Sequence, residues 1–231
     1  MPAGIVGPII KTPSEQGVAE KSLPLTCVAC GKTAVYDVGT IMMHPRVIRN
    51  IDPRSPEACF ASLAKADLKD SVYFSGYFTC EFCGSGDDWD LPRKASQILA
   101  SLVLEDILSD GNGDIVFGLP KLYDGTLAVT SYDAVEYLKK KIKADPQNGF
   151  LWSRLGNAYV CGNRGELSGP AFEKSVELDP NDPETHHSLG EYWRKTGDDV
   201  KAARSYHMLM RKCHTGKWYR TDIAWNSWSA W

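Results

Sequence analysis

The chain has 231 residues, 43% of them apolar and 24% charged, with a formal net charge of -3. These are the proportions of an ordinary globular protein, with one large or two small domains. The near-neutral charge gives no bulk attraction to nucleic acid or an anionic membrane, and no apolar run approaches the roughly 18 residues of a membrane span.

Residues 1–22 are rich in Pro, Gly, Ser and Glu, with no basic stretch ahead of a long apolar run. They read as a flexible arm rather than an export signal, which places the protein in the cytoplasm by expectation. Residues 23–92 carry two tight cysteine pairs. Thr33–Met43 mixes β-branched, aromatic and small residues as a strand does. Ser71–Thr79 does the same, with a kink at Gly76. Between them Ser55-Pro56-Glu57 reads as N-cap, first-turn proline and acid, opening a helix to about Leu68. Ile98, Leu99, Leu102, Val103, Ile107 and Leu108 recur at helical spacing and predict a connecting helix over 93–109. Residues 114–130, with turn signals at Gly118-Leu119-Pro120 and Asp124-Gly125, predict a hairpin, and the rest is helical in pattern. Asp110-x-Asn112-x-Asp114 opens like a calcium loop. Ile115 and Lys121 stand where glycine and a bidentate acid are required, so it reads as a turn.

Seven cysteines are present, and four of them form Cys27-Val28-Ala29-Cys30-Gly31 and Cys80-Glu81-Phe82-Cys83-Gly84. Two residues between cysteines let both thiolates face one ion across a tight turn. The following glycine tolerates positive φ, which turns backbone N–H groups toward sulfur. Each pair is a metal knuckle, and two knuckles complete a tetrahedral four-thiolate site that needs no ligand from His44. Such a closed site is structural, because no position is left for water. In form the knuckles resemble the zinc-ribbon family over about 23–92. The 49 residues between Cys30 and Cys80 exceed that family's usual spacing and point to a helical insertion. Zn2+ is the expected ion. Rubredoxins use the same paired knuckles with iron, which is the alternative. Cys59, inside the predicted helix, reads as a small buried apolar residue.

The C-terminal half repeats itself with a 34-residue period. Leu155-Gly156 recurs as Leu189-Gly190, Tyr159 as Trp193, Phe172 as Tyr206 and Ser168 as Ala202. The first unit, Trp152-x-x-Leu155-Gly156-x-x-Tyr159, then Phe172, then Pro180, resembles the tetratricopeptide repeat. Departures are His186 for tryptophan, His214 for the closing proline, and Ser168 and Ser175 for alanines. Tyr132 to Pro146 matches the second helix of a preceding unit whose first helix is missing. The expectation is an α+β chain: a small β-rich four-cysteine ribbon with a helical insertion, then an all-α solenoid of about two and a half repeats over 131–213. The tail, 214–231, with Trp218, Trp225, Trp228 and Trp231, is expected to cap the array.

The repeat resemblance implies a protein- or peptide-binding groove lined by Ser153, Asn157, Val160 and Cys161 in the first unit and by His187, Glu191, Arg194 and Lys195 in the second. The first unit lacks the lysines of a carboxylate clamp. His186, His187, His207, Cys213 and His214 cluster in sequence and read as surface and core residues. No phosphate loop, nucleophile elbow or HExxH helix is present. The expectation is an adaptor rather than an enzyme. A nucleic-acid-associated ribbon factor is one alternative, opposed by ten Lys/Arg against eleven Asp/Glu in residues 1–100. A redox protein is the other.

Overall fold

The computed structural model describes residues 22–48, 55–64, 68–109 and 114–214. The N-terminal arm, the opening of the calcium-like loop at 110–113 and the tail beyond His214 lie outside the described residues.

The first half builds two small sheets. Strand β1 (Ser22–Cys27) alternates, with Leu23, Leu25 and Cys27 buried, and pairs antiparallel with β2 (Thr33–Asp37) through a turn that is itself the first knuckle. A second sheet has β3 (Ile41–Met43) at its centre, antiparallel to β4 (Val72–Phe74). The expected strand 33–43 is therefore two strands in different sheets. Gly39, at φ 64°, turns the chain between them. The strand expected at 71–79 ends at Phe74. Gly76 does mark the kink: a Cβ there would lie 2.9 Å from the backbone of Asp37 and Val38, an approach only glycine permits.

Helix α1 (Pro56–Leu63) is shorter than expected and buries Cys59 and Leu63. A two-residue strand β5 (Trp89–Asp90) completes the first sheet beside β1. Helix α2 (Arg93–Leu108) follows, and its Leu99, Ala100 and Val103 fill the same core as Leu25, Val38, Ile41 and Val72. The hairpin expected at 114–130 does not form along its length. Its first residues, β6 (Ile115–Phe117), pair in parallel with β3 and send Ile115 into the first core. Ala128 belongs to the second core. A segment divided between two cores cannot fold back on itself throughout, and only the turn bridged at Lys121 and Leu127 remains.

The second half is a run of antiparallel helices: α3 (Ser131–Ala144), α4 (Gly149–Cys161), α5 (Gly165–Leu178), α6 (Pro183–Thr196) and α7 (Asp199–His214). Neighbours pack in order along the chain. Sequence dictates their ends. Thr130 and Asp133 form a reciprocal capping box on α3, Asp182 accepts from the Glu184 and Thr185 N–H groups on α6, and Gly197 at φ 82° closes α6. The repeat is built on glycine–aromatic stacking. A Cβ on Gly156 would lie 2.4 Å from the Phe172 ring, and one on Gly190 would lie 2.6 Å from the Tyr206 ring. The same contact, 34 residues apart, brings α4 onto α5 and α6 onto α7. Helix α3 is the unpaired half unit.

Candidate metal centre and repeat surface

The knuckles have the same backbone. In the first, the Gly31 N–H donates to the Cys27 carbonyl at 2.8 Å and the Cys27 N–H to Lys32 at 3.0 Å. In the second, Gly84 donates to Cys80 at 2.8 Å and Cys80 to Ser85 at 2.7 Å. Gly31 and Gly84 adopt φ 69° and 74°. An aromatic cluster supports the second knuckle. Tyr36 stacks on Phe78 with centroids 5.5 Å apart, both rings meet Trp89, and the Tyr36 hydroxyl accepts from the Glu81 N–H.

The four sulfurs of Cys27, Cys30, Cys80 and Cys83 all lie within 4.8 Å of one another. Cys27 and Cys83 are 3.7 Å apart at sulfur, and Cys30 and Cys80 are 3.6 Å apart. Four sulfurs at about 2.3 Å from a tetrahedral ion stand about 3.8 Å from one another. The donor set is compatible with one thiophilic ion. None of Cys27, Cys30, Cys80 and Cys83 is in a disulfide. Among the described residues this is the one grouping of His, Cys, Asp and Glu close enough to ligate a metal. His44 is elsewhere: its Nδ1 accepts from the Arg46 N–H and caps a short 3-10 turn.

The electrostatics push two of the thiols in opposite directions. Burial pushes the Cys80 thiol up, but the N–H groups of Phe82 and Cys83 and the sulfurs of Cys30 and Cys83 outweigh it and bring it down to about 6. The Ser85 N–H pulls Cys83 down, yet desolvation and the neighbouring sulfurs leave it pushed up to about 12. The first proton leaves this cluster easily and the last leaves only when a cation compensates.

The expected groove residues meet different fates. Val160 is 50% exposed, and His187, Arg194 and Lys195 are exposed on α6. Ser153 is not on an open surface. It is fully buried where α4 packs between α3 and α5, and its hydroxyl has no partner. Asn157 is half-buried and donates to Glu184 at 3.3 Å. Glu191 is occupied within its own unit, accepting from Arg194 at 2.9 Å and from the Tyr206 hydroxyl. The Arg194 guanidinium first, then Tyr206, hold its carboxyl below the usual range. Cys161 is half-buried, and desolvation pushes its thiol up to about 11.

Sequence reasoning missed Arg154. Its Nη2 donates to Glu184, and its guanidinium lies 4.8 Å over the Phe150 ring. Its counterpart 34 residues on is Ser188, so the period gave no signal. Also missed was the 121–127 turn as a wall beside α4, because its packing is tertiary.

No protein-family model matches the chain, and no curated protein matches it. Solved structures similar to it include a double mutant of MamA RS-1, 25% identical over 36% of this chain and 47% of that one, at a TM-score of 0.35. MamA 41-end from Desulfovibrio magneticus RS-1 has the same identity and coverage, at 0.34. The chain spans about half the length of the structures it matches. At those TM-scores the likeness carries no argument, and the repeat architecture stands on the two glycine–aromatic stacks of this chain.

Proposed function

We propose that the protein is a non-enzymatic adaptor. One structural Zn2+ held by Cys27, Cys30, Cys80 and Cys83 fixes a zinc-ribbon module, and the helical repeats recruit a protein or peptide. The observation that carries the reading is the repeated stack of Gly156 on Phe172 and Gly190 on Tyr206. It spends the apolar side chains of α4–α7 on one another and leaves Val160, His187, Arg194 and Lys195 exposed to a partner. The sulfur geometry supports a closed, structural ion, with no coordination position left for chemistry.

Two measurements test it. Elemental analysis of untagged protein should find one zinc per chain, with four thiols protected until unfolding. One iron would turn the reading toward electron transfer. Capture by the full chain should yield a saturable protein partner that is weakened in a His187→Ala/Lys195→Ala variant. Absence of any saturable partner, or salt-dependent retention on nucleic acid instead, would overturn the adaptor.

A further inference from the structure

Two apolar side chains of α7 escape the packing of the array. Val200 is 82% exposed and Met210 is 58% exposed. They stand with Ala203 and His207, both exposed, at positions 200, 203, 207 and 210. Alternating steps of three and four put all four on one stripe of the helix, the seam by which one helix packs along another. The stripe faces away from α6, toward which α7 turns its buried Ala202 and Ser205.

The repeat shows what this face does elsewhere. In α5, 34 residues earlier, the same four positions are Glu166, Gly169, Glu173 and Val176. There the next helix covers them. The Tyr192 ring of α6 lies so close to Gly169 that a Cβ would be 2.2 Å from it, and the charges of Glu173 and Glu166 reach its hydroxyl. Helix α7 has no such cover among the described residues. The outer face of a terminal repeat is ordinarily polar, since nothing follows it. Here both acids have given way, to Val200 and His207, so the open face is more apolar than the covered one. An apolar stripe on the open end of a stack marks a contact.

Two features select the occupant. Where Gly169 admits a ring, the methyl of Ala203 holds one off, which disfavours the tryptophans of residues 215–231. The stripe is also flanked unequally, by Asp199 on one side and by Arg204 and Arg211 on the other, all exposed. In two parallel copies in register, Asp199 of one meets Arg204 of the other, and symmetry makes the pair twice. Antiparallel copies would set Arg204 against Arg211.

We propose that α7 is a dimer interface: two copies of this chain pack their α7 stripes in parallel, Val200 on Val200, Ala203 on Ala203 and Met210 on Met210, with Asp199 of each copy paired to Arg204 of the other. His207 takes a seam position where one polar residue fixes register at some cost in stability. The stripe is short for isolated helices to pair, but α6 already holds each α7 folded. The proposal does not rest on the partner-binding reading, because Val160, His187 and Lys195 lie on α4 and α6.

The test is sedimentation velocity of the full-length, metal-loaded chain at low salt, over a range of micromolar concentrations. The parent should pass from monomer to dimer. Val200→Glu/Met210→Glu, at two exposed positions, should stay monomeric with unaltered far-ultraviolet dichroism. Asp199→Arg alone and Arg204→Glu alone should each weaken the dimer about tenfold, the scale of two exposed ion pairs turned to repulsion. An equimolar mixture of those two variants should regain the parent's affinity, because every mixed pair joins an arginine to an acid. Should Asp199→Arg not fold, Arg204→Glu against Arg204→Lys decides the pairing. A parent that stays monomeric at high micromolar concentration overturns the proposal, as does a dimer that Val200→Glu/Met210→Glu leaves intact. So does a mixture no more dimeric than its components. A parent that dimerises only once residues 215–231 are removed gives the face to the chain's own tail. A monomeric parent whose captured protein is lost in Val200→Glu/Met210→Glu gives it to that protein. Either result overturns the second copy and leaves the adaptor reading standing.

Discussion

Gly156→Ala should destabilise the protein, against the usual expectation for a glycine inside a helix. Alanine is favoured over glycine in helix interiors by about 1 kcal/mol, so an unconstrained site would gain. At position 156 the added methyl would sit 2.4, 2.6 and 2.8 Å from three atoms of the Phe172 ring, which is 1% exposed and has no room to retreat. Overpacking of a filled core costs about 1–3 kcal/mol. Three simultaneous overlaps with a buried ring put the site at the upper end, so the net loss is about 2 kcal/mol after the helix gain. Chemical denaturation followed by far-ultraviolet dichroism reads this as a lowered midpoint. Gly165→Ala is the control: a Cβ there meets nothing, and it should be neutral or stabilising by up to about 1 kcal/mol. Shrinking the ring with Phe172→Leu should relieve the clash, so the double variant should be more stable than the sum of the singles predicts. A Gly156→Ala chain as stable as the parent, or more so, would refute the stacking argument for both repeats.

Thr130→Ala removes the side-chain half of the capping box on α3, at a residue that is fully buried. It should cost about 1 kcal/mol, read as a lowered denaturation midpoint, with Thr130→Ser nearly silent. In metal-free protein, thiolate absorbance should begin to rise near pH 6 rather than at the ordinary cysteine value of 9.0, because Cys80 is held at about 6. With that value depressed, the stabilisation from its thiolate is complete above about 9 and is lost as pH falls through about 6. A single step near 9 would contradict the N–H donation from Phe82 and Cys83. Tyr77→Ala removes ring contacts with Tyr132 and Tyr159 and the stacked Arg164 guanidinium. For a partly buried ring the loss is about 2 kcal/mol, and the helices should then melt separately from the four-cysteine module. One unchanged cooperative transition would count against that.

The four-cysteine cluster was legible because C-x-x-C-G encodes its geometry within five residues. Positive φ at Gly31 and Gly84 and the hydrogen bonds back to Cys27 and Cys80 are local consequences of local sequence. The repeat was legible for a different reason: a period is visible even where a single unit is degenerate, and both glycine–aromatic pairs follow it. The second sheet was not legible. Its strands are three residues long and β6 joins β3 in parallel across more than seventy residues, so periodicity has too few positions to register. Ser153 shows the limit of mapping a groove by analogy. Its position in the repeat is generic, but the helices on either side of α4 cover it here.

What no local reading supplies is how the two motifs meet. Tyr77, three residues before Cys80, donates its N–H to the Gly162 carbonyl and packs among Tyr132 and Tyr159. Gly86, three residues after Cys83, lies so close to the Tyr132 ring that a Cβ would be 2.6 Å away. The second knuckle is therefore held at both ends by the first two helices of the array. Ser131 adds two more bonds, its N–H to the Gly76 carbonyl and its hydroxyl to Ser75 at 2.6 Å. An ion that fixes Cys80 and Cys83 fixes the segment between these anchors, and so bears on how α3 and α4 are seated. The second knuckle and the repeat helices are far apart in sequence, yet Gly86 and Tyr77, on either side of the knuckle, both lie against Tyr132 of α3, and Tyr77 also meets Tyr159 of α4.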